Sequence, residues 1–177
     1  MEKSILYTTR DGGTTWNMAP NFIDSNKLKS CSIVSLETPQ FVELNTNQGF
    51  IPLGCITESG SKFNGLFTTN KGHSWELVPF DLSWNNGINQ LLSPIFINNS
   101  EGWYLQDSQF YHTVDQGKSW TALPISKVLL RYMESYPIVV KVNFTSSDVG
   151  WILLENRDDK RSLLLQTKNG GVSWKVL

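Results

Sequence analysis

The sequence predicts an all-β protein built by repeating a four-stranded antiparallel sheet, and three observations carry that prediction. The motif Ser/Thr-x-Asp/Asn-x-Gly-x-Ser/Thr-Trp occurs four times, ending at Trp16, Trp75, Trp120 and Trp174. A Gly-aromatic step precedes each of the last three copies: Gly49-Phe50, Gly102-Trp103 and Gly150-Trp151. Helical periodicity is nearly absent, the one candidate for a short helix being SKVLLRYMES, Ser126 to Ser135.

Along the chain, residues 1–18 hold one strand before and one after the first motif copy, TTRDGGTTW. Residues 30–78 read as a full repeat: FVEL, a polar turn, the strand opening at Gly49-Phe50, then FNGLFTT, the motif and an outer strand. Residues 90–123 repeat this with PIF, Gly102-Trp103 and SQFYHT, and residues 137–177 with VNF, Gly150-Trp151 and SLLLQT. The strands are called a, b, c and d in order, with the motif in the c–d turn.

Each motif position has a task in a tight hairpin. Asp11, Asn70, Asp115 and Asn169 can accept hydrogen bonds from turn N–H groups. Gly13, Gly72, Gly117 and Gly171 can take a positive φ. The hydroxyls of Thr15, Ser74, Ser119 and Ser173 can close the turn, after which each Trp buries a large apolar ring, on the order of 200 Å². Asn70 and Asn169 depart from Asp, and Lys71 and His73 from the small residues of the first copy, so those hairpins are expected to be less regular. A period on the order of 50 residues is near that of propeller blades, so the chain reads as a β-propeller-type repeat of about three and a half four-stranded blades in one domain, 1–177.

On these residues the chain resembles the Asp-box, or BNR-repeat, β-propellers, and its Gly-aromatic strand beside a TxDGGxSW-type turn is most similar to the photosystem II assembly and stability factor family. The same box occurs in sialidases, sortilin-type receptors and some glucan hydrolases. The resemblance implies that the boxes lie at the blade periphery as structural elements, and that their carboxylates serve neither catalysis nor metal binding. Residues 1–18 supply only strands c and d of a first blade, whereas a closed ring needs at least about four blades. Self-association, or membership of a longer propeller, is therefore expected, with Leu6 on an open edge.

Composition narrows the partners. With 15 basic and 16 acidic side chains and no basic run, nucleic acid is not an expected partner. No segment approaches the ~18 apolar residues of a membrane span, and the N-terminus lacks a signal peptide's apolar core. As written the chain is expected in the cytoplasm, or exported if a longer parent carries the signal. Cys31 and Cys55 fit no zinc pattern and read as two buried thiols, with a single bridge as the alternative. His73 and His112 have no second ligand at metal spacing, so neither metal nor cofactor is expected.

The long connections, Pro20–Gln40, Pro79–Asn89 and Pro124–Pro137, share one face with the b–c turns near Ser59 and Arg157, and loops on a rigid scaffold are where function concentrates. Candidate binding residues there are Asp81, Trp84 and Asn85 in one connection and Arg131, Tyr132, Glu134 and Tyr136 in another. The second set could orient an acidic sugar, but the favoured reading is that Tyr132 and Met133 pack the loop while Arg131 and Glu134 pair on the surface. Arg10, Arg131, Arg157 and Arg161 are the only arginines, too few on one face for a sialidase carboxylate clamp. A glucan hydrolase would need two facing carboxylates, for which Asp81 and Glu134 are candidates. The leading expectation is a non-catalytic module recognising a protein or a glycan, with a partial glycoside hydrolase or a truncated remnant as alternatives.

Overall fold

The computed structural model describes residues 6–18, 28–41, 47–83 and 92–177. Among them the strands form four antiparallel sheets. The first holds β1 (Tyr7–Thr8) and β2 (Asn17–Met18). The second holds β3 (Ile33–Leu36), β4 (Gln40–Phe41), β5 (Gly49–Thr57), β6 (Gly60–Thr68) and β7 (Glu76–Ser83) in the order β3-β5-β6-β7, with β4 also on β5. The third is β8 (Ile95–Phe96), β9 (Gly102–Gln106), β10 (Gln109–Thr113) and β11 (Thr121–Ala122). A helix α1 (Lys127–Ser135) then leads to β12 (Ile138–Phe144), β13 (Gly150–Asn156), β14 (Arg161–Thr167) and β15 (Lys175–Val176). These are propeller-type blades, three of them complete and one a half, and the helix stands where the sequence predicts one. The chain divides into two compact units, Met1–Asn85 with Gln116–Lys118, and Asn86–Asp115 with Ser119–Leu177.

One row crosses every complete sheet and explains its shared residues. Phe41, Gly49 and Thr68 are cross-strand neighbours; so are Phe96, Gly102 and Thr113, and Phe144, Gly150 and Thr167. The phenylalanine ring lies over the glycine: a Cβ at Gly49, Gly102 or Gly150 would come within 3.0, 2.8 or 2.6 Å of it. Only glycine leaves room for that ring. The threonine is the first residue of the hairpin motif, so the row fixes each turn against its own sheet.

Of the strand of the second blade expected at FVEL, Phe41 lies in a strand that pairs with Gly49, and Val42 to Leu44 lie outside the described residues. The blade's inner strand is β3, followed by a break at Glu37–Pro39 and the short β4, and both pieces pair with the nine-residue β5. The register Val34↔Cys55 brings Cys31 within 5.3 Å of Cys55, Cα to Cα, and the two form a disulfide, not the pair of thiols the sequence favours. Both half-cystines are buried, as expected, beside Leu28, Ile51, Leu53 and Leu66. Leu6 packs its side chain against this cluster.

The hairpins keep one hydrogen-bond network. In the first, Thr15 N–H and Oγ1 donate to the two Asp11 oxygens at 2.8 and 2.6 Å, while Gly13 N–H donates to Thr9 Oγ1 at 2.8 Å. Asp115 receives the Ser119 N–H and hydroxyl in the same way. The Asn hairpins are no less regular, contrary to expectation. Asn70 and Asn169 still accept from Ser74 and Ser173 N–H, and their amides donate to the serine hydroxyls at 2.8 and 2.9 Å. A hydroxyl can donate or accept, so it serves either side chain. Lys71 and Gln116 take φ of 57° and 65°, the left-handed conformation that Gly12 and Gly170 occupy in the other copies. His73 accepts from the Arg10 guanidinium at 2.8 Å, which joins the first two hairpins.

The four tryptophans differ in burial. Trp174 is 4% exposed and stacks on Phe110 at 5.2 Å; Trp75 and Trp120 are half-buried, and Trp120 meets Phe96 edge-on. Trp16 is 59% exposed, not buried, because the two-stranded sheet beneath it offers too little apolar surface to cover the ring.

The hydrogen bonds from the Thr15 hydroxyl first, then its N–H, hold the Asp11 carboxyl down to about 2. Its folded value lies below the unfolded one of about 4, so this contribution is present above pH ~4 and lost as pH falls towards 2. Urea unfolding at a series of pH values should therefore show the parent losing more stability between pH 4 and 2 than Asp11→Asn, a variant that keeps the network Asn70 and Asn169 make. Equal slopes would mean that the carboxylate contributes nothing to the hairpin.

Candidate functional site

The expected binding residues fall in three places. Arg131, Tyr132 and Glu134 lie on α1, and Tyr136 is its C-terminal cap. Asp81 lies within β7 and not in a loop: β7 continues past Pro79 because its pairing with β6 is irregular there, and a bulge tolerates a residue without an N–H. Trp84 and Asn85 lie outside the described residues. Asp81 and Glu134 belong to different compact units.

Helix α1 forms because its ends are satisfied and one face is apolar. Ser126 caps the start, accepting from Leu129 N–H, and Tyr136 N–H donates to Tyr132 O at 2.7 Å. Leu129 is buried, and Tyr132, Met133 and Tyr136 pack on the core around Trp103, Phe144 and Leu154. The opposite face carries Lys127, Val128, Arg131 and Glu134 into solvent. The Arg131 guanidinium lies 5.8 Å from the Tyr132 ring centroid, within cation–π range. Of the two readings left open by the sequence, Tyr132 does pack, while Arg131 stacks on that ring.

The β13–β14 turn joins this face. Asn156 Nδ2 donates to Ser135 O at 2.9 Å, satisfying a carbonyl at the helix end, and to Asp159 Oδ2 at 3.2 Å. Asp159 N–H returns a bond to Asn156 Oδ1. Arg157 pairs with Glu155 at 3.1 Å, an exposed contact that contributes little to stability. Helix and turn thus form one surface, braced by Asn156 and fringed by charges of both signs.

A second polar cluster, not visible in the sequence, sits at the other end of these sheets. Glu101 is held in its turn by its N–H donating to Asn98 Oδ1 at 2.8 Å. Its carboxylate meets His112 Nε2 at 3.0 Å and accepts the Ser147 hydroxyl at 2.7 Å, and Trp103 stacks on the His112 ring. The residue types suggest a hydrolytic triad, but the order does not. Ser147 and His112 both bond to the carboxylate, so no base addresses the hydroxyl, and the cluster instead links the turns preceding β9 and β13. Nearby, burial, with Asp107 and Tyr111 adding, pushes the Tyr104 phenol up to about 12, which keeps it neutral. No group of three or more metal-ligating side chains occurs among the described residues.

No family profile matches the chain, and no curated protein matches it in sequence. Among solved structures, the GH74 xyloglucanase from Xanthomonas campestris, a β-propeller-containing enzyme, is similar with a TM-score of 0.51 at 10% identity. The match covers 96% of this chain and 27% of that one, so the chain spans about a quarter of its length. At this identity the likeness shows the fold alone. Fold and surface together define a protein of propeller-type blades carrying a braced helix on one face.

Proposed function

We propose that this chain is a non-catalytic propeller module, of the Asp-box type and similar to photosystem II assembly factors, that recognises another protein through α1 and the β13–β14 turn. The observation that carries this reading is the bracing of α1. Ser126, Tyr136 and Asn156 fix both of its ends, so Arg131 and Glu134 stand on a rigid helix and would meet a partner with little entropy to lose. The four hairpin networks support the family assignment. The Cys31–Cys55 bridge supports a compartment in which disulfides persist.

Cross-linking mass spectrometry in source cells should give adducts through Lys127 and Lys160 to one partner. Arg131→Glu should weaken its binding about tenfold. Xyloglucan and a sialoside reporter should both stay intact when incubated with the purified protein. Sugar release that stops in Glu134→Gln would replace this reading with a hydrolase, and retention on a glycan matrix that Arg131→Glu abolishes would replace the protein partner with a glycan.

A further inference from the structure

The fourth hairpin joins an asparagine to a glycine at a place where the fold admits nothing larger. Gly170 has a φ of 68°, and a Cβ there would meet Ser147 O at 2.8 Å, so conformation and space both demand glycine. Asn169 before it is exposed to water. An Asn–Gly step is the most prone of all to deamidation, because no side chain on the glycine shields its amide nitrogen. The Gly170 nitrogen gives up its proton and bonds to Asn169 Cγ, and the Cγ–Nδ2 bond breaks to release ammonia. Water then opens the five-membered imide at one carbonyl or the other, leaving aspartate or its main-chain isomer isoaspartate. The sum is one water consumed and one ammonia released.

Both reacting groups are held apart in the closed hairpin. Gly170 N–H donates to Asp148 O at 2.8 Å, and Gly170 O accepts from Trp103 Nε1 at 2.9 Å. Asn169 Oδ1 accepts from the Thr167 hydroxyl at 3.0 Å and from Ser173 N–H at 2.9 Å, while Nδ2 donates to the Ser173 hydroxyl at 2.9 Å. Attack requires these bonds to break together, which is a local opening of the hairpin. The step is peculiar to this copy of the motif: Asn70, its counterpart in the second blade, is followed by Lys71. Of the other Asn–Gly steps, Asn64–Gly65 lies within β6, and Asn86–Gly87 lies outside the described residues.

The product has a template in the same chain. Asp11-Gly12-Gly13 turns through the first hairpin with φ of 69° and 97° at its glycines, against 68° and 95° at Gly170 and Gly171. There the carboxylate accepts the Thr15 N–H and hydroxyl, the same two bonds that Ser173 would give an aspartate in the fourth hairpin. Isoaspartate, whose main chain runs through an extra methylene, cannot keep that register. We propose that Asn169 is a self-modification site gated by the fourth hairpin: it is hydrolysed when the hairpin opens, and the hairpin closes again over the aspartyl product alone. Water is the co-reactant, and the chain gains one negative charge that it cannot give back.

The full chain and a synthetic peptide of residues 156–177, the fragment that cleavage after Glu155 releases, are incubated side by side at mildly alkaline pH. Mass spectrometry of that fragment, with fragmentation to place the change at Asn169, follows the conversion. The folded chain should convert about a hundredfold more slowly than the peptide, and the chain unfolded in urea should match the peptide. Ser173→Ala, which removes the hydroxyl holding Nδ2, should speed conversion in the folded chain about tenfold while leaving the corresponding peptide unchanged. Asn169→Asp should unfold at the parent's urea midpoint. Equal rates in folded chain and peptide, or a folded-chain rate that Ser173→Ala does not alter, would overturn the gate. A clearly lower midpoint for Asn169→Asp would overturn the reclosing over aspartate.

Discussion

Replacing Trp103 by alanine should lower the unfolding free energy by about 4–5 kcal/mol, the upper range for deleting a buried aromatic ring. The ring is 1% exposed and lies parallel to Phe144 with centroids 4.0 Å apart. Its Nε1 donates to Gly170 O at 2.9 Å, so one side chain of the third blade holds the hairpin of the fourth. Alanine would leave a cavity at that contact and strip Gly170 O of its donor. Trp16→Ala, at an exposed ring, should cost well under 1–2 kcal/mol by comparison. Urea unfolding of the two variants decides the matter, and equal losses would show that the third and fourth blades are not joined through Trp103.

Loss of the Cys31–Cys55 bridge should cost about 3.5 kcal/mol, the value expected from loop-closure entropy for cysteines separated by 24 residues. Unfolding of the oxidised and reduced protein, compared at one pH, gives this difference directly. Thiol titration of the denatured, unreduced chain should find no free cysteine among Cys31 and Cys55. Two reactive thiols in freshly purified protein would mean that strand β3 does not sit in the register found here.

The repeat, its four strands and the short helix were legible because the hairpin motif repeats its chemistry at fixed offsets. Register was not. The Gly-aromatic steps are plain in the sequence, but the reason for the glycine appears only once Phe41, Phe96 and Phe144 are seen across the strand from it. Phe96 and Phe144 stand the same distance before their glycines, but Phe41 stands two residues further from Gly49, so spacing alone does not reveal the partnership in the second blade. The disulfide was hidden for the same reason, since it depends on Val34 facing Cys55. Pro20–Gln40 and Pro79–Asn89 were read as connections, yet the first contains β3, and Pro79 lies at an irregularity within β7. Of the candidate residues, Tyr132 and Tyr136 pack inward, as the alternation along an amphipathic helix dictates. The bracing role of Asn156 was missed because its partner, Ser135 O, is a backbone atom with no sequence signature.

The interchange of Asp and Asn within the hairpins reaches beyond their stability. Because the neighbouring hydroxyl reverses its proton to suit either side chain, each hairpin can gain or shed a unit of charge while every hydrogen bond keeps its place. Two of the four positions are now acidic and two neutral. Substitution at these four sites can therefore change the charge of each hairpin without disturbing its architecture, leaving solubility and long-range attraction to change independently of the fold.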